Sequence, residues 1–261
     1  MSVFLLIVVY NKDCRDFLPL YRRLMAEGGS VIVYDNSTAV ADNAAVCREN
    51  GIVYLGGKGN KGISKAYNEA AAYCLGRSED GFLCLFDDDT VIPPDYIAEV
   101  KKHNGAGKAV LLPMLYSGEK LISPAILKPD FHCDFFSCPE EAKKYSGPSL
   151  TALNSGMAVS LKVFADYRYD ERLFLDGIDH RFMKDMKKAG VPFYFLDCGL
   201  KHELSAFEKP PLESALHRFR LFKSDIRVFD ENRWRKILFR RALKLTVQYR
   251  TLMFLKELFK S

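Results

Sequence analysis

Through the first 112 residues, short apolar runs rich in β-branched and aromatic residues alternate with stretches of helical spacing. This alternation limits the fold more than any other feature. "VFLLIVVY" (3–10), "SVIVYDNS" (30–37), "GIVYL" (51–55), "GFLCLF" (81–86) and "KAVLLPML" (108–115) read as strands. Between them "RDFLPLYRRLMAE", "AVADNAAVCREN", "ISKAYNEAAAYCLG" and "PDYIAEVKKH" read as helices, the third stopped by Gly76. Such units build a largely parallel sheet with right-handed crossovers and helices on its faces. Residues 117–150 break the rhythm with Pro, Gly and Ser, and predict loop and hairpin where a pocket can form. Strand character resumes in "LTALNSGMAVSLKVF". A helix follows in the second half of "YDERLFLDGIDHRFMKDMKKAG", then a strand in "VPFYFLDCGLKH". From Pro210 onward the chain is helical and basic.

Bulk properties narrow the class. A chain of 261 residues can bury a substantial core, as one α/β domain or one domain with an appendage. No apolar run approaches the roughly 18 residues of a membrane-spanning helix. "MSVFLLIVVYNK" lacks a basic leader, so its apolar run reads as a buried strand and not a signal peptide. Seven cysteines with no C-x-x-C pattern predict reduced thiols in a cytoplasmic protein. The tract "HCDFFSC" fits no standard structural zinc spacing. The net charge of +5 is unevenly placed: residues 201–261 hold 15 Lys/Arg against 7 Asp/Glu, and residues 1–200 hold 23 against 26. A basic end on a mildly acidic body points to a local partner surface and away from general nucleic-acid binding.

Ligands of an open parallel sheet collect at the carboxyl ends of its strands. Those ends carry Tyr10 and Asn11, then Asp35, Asn36 and Ser37, then a glycine loop, then "DDDT". Asp87, Asp88 and Asp89 repel one another, and a cation relieves the repulsion; Mn2+ or Mg2+ held by one or two carboxylates and ligand phosphates is the usual hard-metal arrangement. Strand alternation sends Asp87 and Asp89 to one side and Asp88 to the other. Gly57, Gly59 and Gly62 spell G-x-G-x-x-G, the dinucleotide fingerprint. That fingerprint belongs in the first strand–helix turn, with an acid about 20 residues on at the next strand's end. Here the first turn is "YNKDC", and Asp80 precedes its strand. The loop, with Lys58, Lys61 and Lys65 beside a helix start, suits a phosphate or a sugar nucleotide better.

"VVYN", "VYDNS", "GNKGISKAYNEA", "LFDDDT", "NSGMAVS" and "FLDGIDHRF" occur in the order seen in inverting GT-A glycosyltransferases. The sequence resembles their family 2, and within it the bacterial rhamnosyltransferase-like members, over about residues 3–205. The resemblance implies a GT-A fold, a Rossmann-like mixed and mostly parallel sheet flanked by helices. It implies a nucleotide-diphosphate-sugar donor (UDP- or dTDP-linked), a divalent cation, and inversion as an acceptor hydroxyl attacks. By position, Asp35 recognises the base, with Asn36 and Ser37 beside it, and Tyr10 and Asn11 line the same pocket. Asn60, Gly62 and Asn68 lie beneath the nucleoside. Asp87 and Asp89 form the D-x-D pair for metal and donor, with Asp88 in the variable middle place. The resemblance puts the general base at Asp179 with Asp176 as the alternative; the two are three apart at a helix start, so both can face one cleft. His202 falls where related sequences often carry a histidine near the metal or the diphosphate. Rhamnose or galactofuranose moved to a cell-surface glycan or lipid-linked acceptor is the expected reaction. A nucleotidyltransferase, an NAD-dependent oxidoreductase, or a non-catalytic nucleotide-sugar-binding subunit are the competing classes.

The expected domains are 1–205, catalytic, and 206–261, a basic helical extension. From Arg233 to Lys260 the extension carries nine Lys/Arg, with Glu257 the single acid of that stretch. Apolar Ile237, Leu238, Leu245, Leu252, Leu255 and Phe259 recur at three and four spacing, with Trp234 nearby. Such a helix can lie on an anionic membrane, pack on its own domain, or form a homodimer. No groove-reading nucleic-acid module is visible.

Overall fold

The computed structural model describes residues 1–39, 42–202 and 210–260. Strand β1 (Ser2–Val9) leads through a 3-10 turn at Cys14–Phe17, capped by the Asp13 carboxylate, into α1 (Leu18–Ala26). The alternation continues with β2 (Ser30–Asp35), α2 (Asn43–Glu49), β3 (Val53–Gly56), α3 (Ile63–Leu75) and β4 (Gly81–Asp87). Next come β5 (Thr90–Val91), α4 (Tyr96–Lys101) and β6 (Val110–Ser117).

The stretch expected as loop and hairpin holds more structure than its composition suggests. β7 (Lys120–Ser123) does form a hairpin with β6. Then β8 (Ala125–Leu127), β9 (Cys133–Phe135), α5 (Pro139–Lys144) and β10 (Leu150–Thr151) follow, with the three strands making a small sheet in the order β10-β8-β9. The strand expected over 150–164 is interrupted before β11 (Ala158–Ser160), which runs straight into α6 (Leu161–Phe164). The break is a turn at 154–157, where the Met157 amide donates to the Asn154 carbonyl at 2.8 Å. Gly156 takes φ +81° there, and a Cβ on it would stand 2.4 Å from Leu200. The order ends with α7 (Ile178–Lys188), β12 (Phe193–His202), α8 (Leu212–Phe229), α9 (Trp234–Tyr249) and α10 (Met253–Glu257).

The main sheet has the order β3-β2-β1-β4-β11-β6-β12-β5, with β7 paired to β6. β3, β2, β1 and β4 are parallel, as are β6 and β12; β11, β5 and β7 run antiparallel to their neighbours. This is the mixed, mostly parallel sheet flanked by helices expected of a GT-A fold. β1 shows why its sequence is a continuous apolar run. Phe4, Leu6 and Val8 enter the core beneath α3 and α7, while Val3, Leu5, Ile7 and Val9 enter the core beneath α1 and α4.

The proposed boundary at 205/206 lies outside the described residues. α8, α9 and α10 share an apolar core of Phe219, Phe222, Ile226, Ile237, Leu238 and Phe254. Glu257 fastens α10 to α8, accepting from Arg220 at 2.8 and 3.1 Å, and also accepts from Lys260 at 2.5 Å. These cations hold the Glu257 carboxyl at about 2, well below the usual carboxylate range.

Candidate active site

The carboxyl ends of β1, β2 and β4 lie side by side because the three strands are parallel neighbours. At the tip of β4 the three aspartates divide as strand alternation predicts. Asp88 turns toward β1, where it accepts from the Tyr10 amide at 3.0 Å and pairs with Lys12 at 2.8 Å. Asp87 and Asp89 turn toward the end of β12. His202 Nε2 stands 3.6 Å from Asp87 Oδ2 and 3.1 Å from Asp89 Oδ1. Antiparallel pairing of His202 with Thr90 fixes this meeting, and Thr90 is braced by Ser155 at 2.5 Å. Ser155 is thus the serine of "NSGM" put to structural use.

The electrostatics of this cluster would favour a bound cation. Burial raises the Asp89 pKa, and the charges of Asp87 and Asp88 add to the rise against the relief given by His202. Burial disfavours the charged His202 imidazole, but Asp87, Asp89 and Asp88 outweigh burial and raise its pKa. Asp89 Oδ1 and His202 Nδ1 are sealed from solvent without a hydrogen bond among the described residues. Two carboxylates and an imidazole, with ligand atoms all within 4.8 Å of one another, are a fitting donor set for Mn2+ or Mg2+.

Asp35 is 3% exposed, and its carboxylate is occupied: it accepts from the Ser37 amide at 2.9 Å, from Asn43 at 2.9 Å and from Tyr54 at 3.1 Å. Burial alone would raise its pKa, and these hydrogen bonds reverse the shift and lower it. Asn11, at φ +53°, receives the amides of Thr38 and Ala39, and its own amide donates to Ser37 Oγ at 2.8 Å. Asn36 accepts from the Lys61 amide at 3.1 Å and donates to the Gly62 carbonyl, so β2 is tied to the glycine loop. Asn60 accepts from the Gly62 amide at 3.0 Å. Asn68 lies apart from these: from α3 it holds the Tyr169 backbone on both sides, at 2.8 and 2.9 Å, and reaches Glu171.

The glycine loop owes its composition to its turns and to one contact. Gly57, Gly59 and Gly62 all have positive φ. At Gly62 a Cβ would stand 2.8 Å from the Phe174 ring and 3.0 Å from its carbonyl. The next amide, Ile63, donates to that carbonyl at 2.8 Å. The loop therefore rests directly on the segment that carries Asp176.

Asp176 and Asp179 do not share surroundings. Asp176 precedes α7 and is gripped by both terminal nitrogens of Arg218 from α8, the NH2 bond measuring 2.8 Å. Asp179, in the first turn of α7, accepts from the His180 amide at 2.8 Å. Its charge is felt by Cys133 and by the buried Tyr67 and Tyr169. The segment before α7 is held by Asp225, a fully buried carboxylate of α8. It accepts from the successive amides of Phe174, Leu175 and Asp176 at 2.8, 2.9 and 2.8 Å. Burial raises the Asp225 pKa against those three bonds, and the Asp176 charge raises it further.

Between these walls runs a cleft of about 350 Å³. Tyr10, Asn36, Asn60, Gly62, the three tip aspartates and His202 line one side. Phe174, Leu175, His217, Arg218 and Leu221 line the other. His217, Arg218, Leu221 and the Asp225 brace are contributions that the sequence reading misses. Only an isolated acid in "FKSDIRVF", within a basic helix, hints at them.

Residues 30–146 match the family model described as "Glycosyl transferase family 2". No curated protein sequence matches the chain. Among solved structures the chain is similar to TarS of S. aureus at 19% identity and a TM-score of 0.51, over 91% of this chain and 42% of that one. The chain thus spans less than half of that TarS chain. It is also similar to S. aureus TarS 1–349 in complex with UDP, at 18% identity and a TM-score of 0.49, over 91% of this chain and 70% of that one. The matched stretch contains Asp35, the glycine loop and the acidic tip.

Proposed function

We propose that this family 2 glycosyltransferase moves a sugar from a UDP- or dTDP-sugar to an acceptor hydroxyl, with inversion at the anomeric carbon. The observation that carries the reading is convergence. The glycine loop, the Asp87–Asp89–His202 cluster and the arginine that grips Asp176 border one cleft at the strand ends. Asp87, Asp89 and His202 would hold a divalent cation, which when bound neutralises the donor diphosphate as it becomes a leaving group. Asn36, Asn60 and Gly62 shape the nucleotide wall, and Asp35 acts through Ser37, Asn43 and Tyr54 to set its floor.

For the base, geometry favours Asp176 over Asp179. The Arg218 partner of Asp176 and its neighbour Leu175 line the cleft, whereas Asp179 faces His180, Cys133 and the buried tyrosines. As Arg218 turns to the incoming diphosphate, it frees Asp176 to take the acceptor's hydroxyl proton while that oxygen attacks. The nucleoside diphosphate leaves from the opposite face of the sugar. The test is donor turnover across a panel of nucleotide sugars with Mn2+. Asp176→Asn is expected to lose about 10²–10⁴-fold with donor binding retained, and Asp179→Asn much less. The reverse order returns the base to Asp179, and no turnover of any nucleotide sugar removes the transferase reading.

Rhamnose or galactofuranose donors and a cell-surface glycan remain the expected substrates, and a cytoplasmic site of action agrees with seven free thiols. No helix among the described residues is long and apolar enough to cross a membrane. The apolar face picked out by spacing is partly spent inside, since Ile237 and Leu238 pack on α8. A different row is exposed: Phe239, Leu243 and Val247, each 47% or more exposed, stand one turn apart on α9. Lys236, Arg240 and Lys244 run parallel to it. This apolar row with a basic border suits an anionic bilayer. Co-sedimentation with phosphatidylglycerol vesicles should fall for Phe239→Glu; concentration-dependent dimers that this change dissolves would assign the face to self-association instead.

A further inference from the structure

Beyond the cleft the surface continues as a track of hollows that share walls. Arg218 borders both the cleft and a second hollow of about 1000 Å³ between α8 and α9. Phe131 and Ile237 border both that hollow and a third, of about 830 Å³, which runs on toward α7. The walls are basic. The second hollow has Arg218, Arg240, Arg241 and Lys244 against one carboxylate, Asp130.

Most of these cations are already neutralised. Arg240 pairs with Asp130 at 2.7 Å and Arg218 with Asp176. In the third hollow Arg181 pairs with Asp185 and Arg233 with Asp230, while Lys187 is spent on backbone carbonyls. Three cations are left without an ion pair or hydrogen bond among the described residues: Arg241, Lys244 and Lys184. Arg241 is the telling one. Its guanidinium lies 3.9 Å over the Phe222 ring, which shields one face and leaves the N–H edge free. Desolvation lowers its pKa and outweighs the attraction of the Asp176 carboxylate, whose oxygens are held by Arg218 and not by Arg241. Lys244 is three residues on, so both project from one face of α9.

We infer that this track binds phosphate groups of the acceptor, with Arg241 and Lys244 as the first phosphate site beyond the cleft and Lys184 farther along. A guanidinium edge and an ammonium together suit a tetrahedral oxyanion with several acceptor oxygens. The inference rests on the transferase reading, because the track leads to the reacting end of an acceptor only if transfer occurs at the cleft. The phosphates belong either to a soluble chain or to lipid headgroups.

The test uses the full chain and three probes: inorganic pyrophosphate, short linear polyphosphate, and phosphatidylglycerol vesicles, each at low and physiological salt. Polyphosphate is expected to bind, and Arg241→Gln and Lys244→Gln each to weaken it about tenfold. Loss of vesicle binding in Arg241→Gln, with polyphosphate binding absent throughout, would assign the phosphate to a lipid headgroup. Thermal melting checks folding; if Arg241→Gln unfolds, the exposed Lys244→Gln and Lys244→Glu carry the test. Wild-type affinity for every probe retained in these variants, or no binding of any probe by wild type, overturns the inference. UDP titration of the same variants is expected to be unchanged. Its failure in wild type would strike the transferase reading and leave the phosphate result standing.

Discussion

At one wall of the cleft, Asp87, Asp89 and His202 meet because two strands of one sheet end beside each other. At the other wall, Asp176 is positioned by a helix about 40 residues further along, through the Arg218 pair and three backbone amides closed on Asp225. The first wall is a by-product of sheet topology, and its chemistry is stored as mutual repulsion that a cation relieves. The second is built by a partner with no place in the sheet, and its geometry is stored in a buried carboxylate. One wall therefore depends on what binds it, and the other on the integrity of α8.

The sharpest way to break this contrast is at the metal wall. Asp89→Ala should lower transfer about 10²–10³-fold and abolish its dependence on Mn2+, while leaving the unfolding midpoint near wild type or higher. Turnover with and without chelator, beside a thermal melt, checks both halves; intact turnover would end the metal assignment. At the braced wall the expected outcome is inverted. Asp225→Ala leaves three backbone amides without an acceptor and should cost about 3 kcal/mol of stability by urea unfolding. If stability holds and only turnover falls, Asp225 belongs to the chemistry and not to the frame.

Two smaller effects sharpen the boundary between the walls. Gly62→Ala forces a left-handed residue against Phe174 and should cost roughly 1–2 kcal/mol, with a weaker affinity for UDP by calorimetry. The other effect lies at the base of the braced wall, where Glu257 ties α10 to α8. Its folded pKa, near 2, lies below the unfolded value near 4.5, so its contribution is whole above the unfolded value and is lost as pH falls toward 2. Glu257→Gln should be less stable than wild type at neutral pH by roughly 1–2 kcal/mol, given the exposed ends of Arg220 and Lys260. Urea unfolding at a series of pH values should show that gap closing as pH drops from about 4.5.

The meeting of Asp87, Asp89 and His202 was legible because its signals are local. Alternation along β4 divides Asp88 from Asp87 and Asp89 without reference to any distant residue, and His202 closes a strand whose pattern is plain. The parallel core was legible for the same reason, since "VFLLIVVY" suits only a strand buried on both faces. The braced wall was not, because nothing near Asp176 announces Arg218 or Asp225. The three-residue spacing of Asp176 and Asp179 suggested a shared face. The helix begins after Gly177, however, and Asp176 falls outside its periodicity. In α9 the spacing of apolar residues identified an amphipathic helix but not which stripe is covered, since Phe222 and Ile226 of α8 decide that.

The hydrogen bond from the Ile63 amide to the Phe174 carbonyl makes a rigid hinge pin between the two walls. Gly62 has no side chain, so the glycine loop lies directly on the ring and carbonyl of Phe174 in the carboxylate segment. A shift in one is handed to the other without damping. Under the proposed function, donor selectivity and proton abstraction are therefore not separate dials: a substitution that widens the glycine-loop side also moves the carboxylate segment. Retargeting the donor calls for paired changes at 60–62 and 174–176.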